Sequence, residues 1–447
     1  MDETSGTEFR HSGVLRDDSR FLISVPRQWT GSLLLYSHGP PTPREAPAWP
    51  ETLPLVQSLL ARGYAIAGCG TDLFYPMEHN LPNQMEVLDT FEQRVGRPQR
   101  TVAWGESMGG LMTAALVQTF PDRIDGALAL CGPLAGAIPH WNQDLDCAFV
   151  FKTLLAPDSA LELVNISRPP ANLDVALHVL RAAQREPEGR ARVALAAAVR
   201  QIPGWTDPLA PQPDEGSAVV REQGQYRWLE GIVLLVALSA RRVLEDRAGG
   251  NPSWNTGVDY RKVLTMSAEA DTVAALYKYA GMDLDRDMDA LEKAPRITSD
   301  PGAVEYFSKY IAFDGNLHDT PVLTIHTLGD GLVPVEHEHA YADVVEAAGQ
   351  SECLKQLFIR RAGHCSYTPA EVLVGLTALE RRIDEGSWPE ASCEDLIGAA
   401  EGLADDLNSI SPAMVVDEDR TGQRASPAFV NFAPTPFSRP CDARSTG

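Results

Sequence analysis

The chain has 447 residues, 44% of them hydrophobic and 22% charged, a balance that fits a globular protein of two or three structural units. Asp and Glu number 61 against 38 Lys and Arg, giving a net charge of −23. That excludes the basic footprint that nucleic acid or an anionic membrane surface demands. The 7 cysteines are scattered without a Cys-x-x-Cys pair or other metal-binding spacing, which suits a reduced, cytoplasmic protein.

The N-terminal stretch MDETSGTEFRHSGVLRDD is polar and has no apolar signal core. Short apolar runs then follow: FLISV (Phe21–Val25), LLLYS (Leu33–Ser37), YAIAGC (Tyr64–Cys69), TVAWG (Thr101–Gly105) and GALALCG (Gly126–Gly132). They are nearly continuous rather than alternating, as in strands covered on both faces of a parallel sheet. Helical spacing lies between them, in TLPLVQSLLARGY, which ends at Gly63, and in MEVLDTFEQRVG. Strand–helix–strand alternation predicts an α/β fold with a mostly parallel central sheet flanked by helices.

From residue 135 to 315 the apolar spacing is helical throughout, which predicts a large helical insertion. Its most apolar run, Ile232–Ala240, is far short of the ~20 residues of a membrane span and reads as a buried helix. Strands resume with PVLTIHTLGD (Pro321–Asp330) and CLKQLFIRRAGH (Cys353–His364), followed by the helix AEVLVGLTALERRI. The expected division is a core of residues 1–134 and 316–385, a helical lid of residues 135–315, and a C-terminal extension of residues 386–447. The extension holds one short helix near EDLIGAAEGLADDL. Its ending, FVNFAPTPFSRP, has enough aromatics to pack on the core.

The sharpest motif is Gly105-Glu106-Ser107-Met108-Gly109, followed by Gly110. It comes directly after the strand TVAW and before the helix LMTAALVQTF, the strand–sharp turn–helix setting that a nucleophilic serine needs. With these residues the chain resembles the α/β-hydrolase superfamily over Phe21–Leu134 and Pro321–Ile383. In that superfamily the chain order is nucleophile, acid, histidine. The resemblance implies Ser107 as nucleophile, Asp330 in TLGDGLVP as acid and His364 in RRAGHCSYTP as base. A serine hydroxyl needs such a base to become nucleophilic near neutral pH.

It also implies two backbone N–H donors for the oxyanion. One is Met108, after the nucleophile. The other comes from the loop after LLLYS, where Pro40 and Pro41 have no N–H to give; Gly39 is the expected donor, the alternative being a donor from elsewhere or a weak hole. Of the remaining residues, Glu106 reads as structural, Cys365 as packing and Gly70-Thr71-Asp72 as a turn. His326 falls inside a strand, and His337 and His339 are two apart, which points them away from each other on a helix. No metal or cofactor is expected. Trp141, Phe149, Phe151, Trp205, Trp228, Trp254 and Tyr277 read as the insertion's own core ahead of pocket lining.

The expected activity is hydrolysis of a carboxylic ester or lactone of a small-molecule acyl substrate through an acyl-Ser107 intermediate. Acyl transfer, transesterification or cyclisation by the same triad is the alternative. A peptidase or amidase, or a non-catalytic binding protein, stands further off.

Overall fold

All seven runs expected as strands lie in one nine-stranded sheet, with two strands that periodicity did not reveal. The computed structural model describes residues 7–39, 53–70, 77–214, 216–411 and 420–439. The strands are β1 (Thr7–Val14), β2 (Arg20–Pro26), β3 (Ser32–Ser37), β4 (Ala65–Cys69), β5 (Arg100–Glu106), β6 (Gly126–Leu130), β7 (Val322–Gly329), β8 (Leu354–Ala362) and β9 (Phe429–Val430). Their spatial order is β1-β2-β4-β3-β5-β6-β7-β8-β9. The six central strands, β4 through β8 in that order, are parallel. β1 and β2 at one edge and β9 at the other pair antiparallel.

Helices cover both faces of the sheet, which is why its central strands are apolar on both sides. On one face the helices Met77–Arg94, Met108–Thr119 and Glu336–Ala347 bury Leu88, Phe91, Leu111, Leu116 and Tyr341 against Leu33, Ala103 and Ala127. On the other, Pro54–Ala61 and Pro369–Glu385 bury Val56, Leu59, Val372 and Leu376 against Leu34, Val102 and Ile325. The chain turns out of Pro54–Ala61 through Gly63 at φ +89°, the left-handed position that favours glycine.

Between β6 and β7 the chain builds a helical block from Ala137–Leu155 to Pro301–Ile311. The block has its own core, in which Phe149, Phe151, Trp228 and Tyr277 are buried. Ile232–Ala240 lies within a continuous helical stretch interrupted by π turns at Leu229–Val233 and Val236–Ala240. No helix among the described residues is long and apolar enough to cross a membrane.

The end of the chain packs on both parts. Pro434 accepts a hydrogen bond from His339 of the core, and Phe437 sits with its ring centroid 4.6 Å from that of His337. Immediately after Phe437, Ser438 N–H donates to Gln201 and Arg439 pairs with buried Asp146, both in the helical block.

One buried ion pair organises the loop after β8. Arg361 donates to both oxygens of Glu371 (2.8 and 3.0 Å) and to the carbonyls of Ser366 and Ser426. Glu371 also closes the capping box with Thr368 at the start of Pro369–Glu385. Removing one partner leaves the other charge uncompensated, so Glu371→Ala is expected to cost about 3–5 kcal/mol. Denaturant unfolding checks this; a midpoint within error of wild type contradicts it.

Candidate active site

β5 ends at Glu106, and the helix Met108–Thr119 begins one residue after Ser107. Ser107 joins them at φ +56°, ψ −122°, a conformation that L-residues rarely hold. The strain persists because the surroundings fix it. Ser107 N–H donates to Leu130 O (2.8 Å), and its own carbonyl accepts from Gly110 and Leu111. The helix runs so close to β3 that a Cβ on Gly109 would lie 2.0 Å from Ser37 O. Only glycine fits there.

The three residues expected to form a triad come together. His364 Nε2 is 2.7 Å from Ser107 Oγ, and His364 Nδ1 is 2.7 Å from Asp330 Oδ2. A carboxylate only accepts, so Nδ1 carries the proton, and Nε2 is then free to accept from the serine hydroxyl. The three side chains follow β5, β7 and β8, whose parallel register brings their C-terminal ends to one edge. Ser107 is partly buried; Asp330 and His364 are buried.

The acid is held from several sides. Asp330 Oδ1 accepts from the N–H groups of Leu332 (2.9 Å) and Val333 (2.8 Å). Nε2 of His326, four residues earlier on β7, lies 3.6 Å from Oδ2. Burial pushes the Asp330 carboxyl up, but His364 and His326 outweigh it and bring its pKa down to about 2. For His364, burial pulls the imidazole down, and the charge and hydrogen bond of Asp330 overcome that to leave it above its ordinary value.

His326 is a neighbour of the expected triad that sequence reading missed. Its Nε2 faces Val333 O at 2.9 Å and its Nδ1 faces Glu338 Oε1 at 3.1 Å. Both partners are acceptors only, so both nitrogens carry protons and the ring is an imidazolium. Burial opposes that charge; Cys131, Asp330 and Glu338 raise its pKa well above the ordinary value. Glu338 in turn accepts from Thr324 and Gln356. A polar residue on a strand buried along its whole length was the available signal.

Glu106 points away from Ser107 to the other face of the sheet. Tyr367 O–H donates to its Oε2 at 2.5 Å, and burial raises its pKa. Cys365 is buried, and burial, with Cys131 nearby, pushes its thiol pKa well up, as befits packing. His337 faces His140 and the N–H of Ala135, while His339 faces Pro434 O. Ligand-type atoms of Cys131, His326 and Asp330 converge within 4.8 Å, but the two His326 nitrogens are already committed to Glu338 and Val333.

At the expected oxyanion donors, Met108 opens the elbow helix. Gly39 is buried against the elbow strand, where a Cβ would lie 2.5 Å from Glu106 O and 2.9 Å from its Cγ. Pro40, Pro41, Thr71 and Asp72 lie outside the described residues. Of the aromatics expected as the insertion's own core, Phe149, Phe151, Trp228 and Tyr277 are buried there, whereas Trp141 and the partly buried Trp254 pack with the core beneath the sheet and Trp205 packs against Leu328 and Phe358. Two of them reach the acid loop: a Cβ on Gly331 would lie 2.3 Å from the Trp228 ring, and one on Gly329 would lie 3.0 Å from the Trp205 ring.

A serine on a strained elbow, with a histidine and an acid at neighbouring ends of a parallel sheet, defines a hydrolase-type site. No family model matches the chain. The o-phthalyl amidase of Xanthobacter agilis is 30% identical over 425 residues, spanning 87% of this chain and 90% of the amidase. Among solved structures, feruloyl esterase B from Aspergillus oryzae gives a TM-score of 0.40 at 14% identity, over 85% of this chain and 81% of that one. The rice cell wall degrading esterase LipA from Xanthomonas oryzae gives 0.36 at 14% identity, over 78% and 81%. The chain belongs to the α/β-hydrolase superfamily, in the same family as the o-phthalyl amidase.

The elbow's dependence on close packing is directly testable. Gly109→Ala must push the helix off β3, and the expected cost is on the order of 3 kcal/mol. An unfolding midpoint equal to wild type contradicts the geometry at Ser37.

Proposed function

We propose that this protein is a serine hydrolase that opens the amide bond of an o-phthalyl-like aromatic acyl group through an acyl-Ser107 intermediate. The observation that carries the hydrolase reading is the Ser107–His364–Asp330 chain of two 2.7 Å hydrogen bonds. The amide and the acyl group are supported by the 30% identity with the o-phthalyl amidase. The ester or lactone expected from the sequence calls for the same acyl-enzyme chemistry with an easier leaving group. Transfer of the acyl group to an alcohol or amine differs only in what attacks the acyl-enzyme.

The steps follow from the charge states. His364 Nε2 takes the proton of Ser107 as its Oγ attacks the carbonyl carbon. Asp330 fixes the tautomer and stabilises the imidazolium that forms. Backbone N–H groups of Met108 and Gly39 face the oxyanion, each worth about 3–4 kcal/mol of barrier by deletion. His364 then gives its proton to the leaving nitrogen. Water, deprotonated by the same imidazole, attacks the acyl-enzyme and frees the acid. The helical block serves as a cap that excludes bulk water and shapes the acyl pocket. The reading also places the enzyme in the cytoplasm, supported by the six described cysteines standing as free thiols.

A fluorophosphonate probe is expected to label the wild type and to spare Ser107→Ala. Wild type is expected to cleave a chromogenic o-phthalyl monoamide, and His364→Ala to lose about 10³-fold or more in kcat. The base must be neutral, so kcat/KM rises with pH through one limb set by His364, above the ordinary histidine value, while Asp330 stays ionised throughout. Turnover of esters alone would move the reading back to an esterase; turnover that survives Ser107→Ala contradicts both.

A further inference from the structure

The loop that carries Asp330 is held by a side chain from the helical block. Arg200 follows the helix Pro187–Val199 and has no exposed surface. Its Nη1 donates to Gly331 O at 2.8 Å and its Nη2 to Leu332 O at 2.9 Å. Its Nε donates to Asp144 Oδ1 at 2.5 Å, and Asp144 is equally buried, on the helix Ala137–Leu155. The two carbonyls gripped by the guanidinium immediately follow Asp330, and the N–H groups of Leu332 and Val333 bind its Oδ1. One short loop thus faces the acid with its N–H groups and the arginine with its carbonyls. The Trp228 ring closes over Gly331, and its indole N–H is tied to Trp205 O.

We propose that Arg200 is a positioning residue for the acid Asp330, so that the helical block is a working part of the catalytic apparatus as well as a cap. This rests on the triad reading above. A planar fork fixed by a buried carboxylate sets two carbonyls at once, which an ammonium cannot do. Asp144 needs the arginine as much as the loop does, because an unpaired charge at that depth is strongly unfavourable. Residues near the end of the chain add a second fastening to the block, since Ser438 and Arg439 bind Gln201 and Asp146.

The consequence is read on His364. Asp330, His326 and Cys131 act on it from β7 and the end of β6, Glu106 from β5 and His140 from the block. Arg200 itself faces Asp144, His140, His337 and Cys147. A loop that slips leaves Asp330 misaligned with His364, which weakens the interaction that raises the imidazole's pKa. The acid limb of the pH–rate profile then moves to lower pH while kcat falls.

The test compares wild type, Arg200→Lys and the charge-neutral pair Asp144→Asn with Arg200→Met, all as full chains. Fluorophosphonate labelling and amide turnover are followed from pH 5 to 9 alongside the melting temperature. The expected result is a kcat lowered by about 10²-fold, the cost of a small misplacement. KM stays within a few-fold, and the acid limb is displaced downward. A melting temperature that drops while kcat and the limb match wild type, in either variant, overturns the proposal. Wild-type protein that fails to label at Ser107 refutes the triad reading instead, so the two failures are distinguishable.

Discussion

Asp330 is a carboxylate with no exposed surface, and such a charge is tolerated only where donors and cations replace the lost water. The surroundings of the site answer that constraint. Two backbone N–H groups bind one oxygen, His364 binds the other, and the His326 imidazolium stands behind it. His326 can stay charged because Glu338 neutralises it, and Glu338 is itself satisfied by Thr324 and Gln356. The chain of buried charges runs from Glu338 on the helix Glu336–Ala347 through His326 on β7 and Asp330 to His364 beside Ser107. Asp330 raises the basicity of His364, while the His326 charge keeps Asp330 ionised and opposes part of that gain.

The second constraint is steric. Ser107 holds a left-handed conformation only because Gly109 lets the elbow helix press on β3 and because Leu130 O receives the serine N–H. Gly39 comes up against Glu106 on the other side. The elbow is therefore clamped between the ends of β3 and β6, and the serine hydroxyl is aimed before any substrate arrives. Preorganisation of this kind spares the reaction the cost of reorienting dipoles.

The sheet was legible because its central strands are buried on both faces and read as unbroken apolar runs. β1 escaped because TEFRHSGV has no such run, and β9 because two residues carry no period. The antiparallel setting of β2 escaped because FLISV looks the same in either direction. Ser107, Asp330 and His364 were legible because each stands at the end of a recognisable strand. His326, Glu338 and Arg200 were not, since their roles depend on contacts between segments far apart in sequence. Signals did exist. An arginine ends the apolar helix VALAAAVR, an aspartate sits in HWNQDLDCAFVF, and a histidine interrupts VLTIHTLG. Each is a polar residue at a position that demands a buried partner, but the sequence does not say which.

The helical block changes meaning once these contacts are known. From sequence it reads as a lid laid over the serine. In the fold it has its own core, yet it also grips the acid loop through Arg200 and Trp228 and is fastened by the end of the chain. The central claim, that these parts serve an acyl-enzyme at Ser107, is tested most directly by rapid acid quench. The protein is mixed with an o-phthalyl amide or activated ester, stopped during the first turnover, digested and weighed by mass spectrometry. The account predicts the acyl mass on the peptide containing Ser107, rising and then decaying at the rate of product release. Steady turnover with no covalent acyl group on that peptide contradicts it.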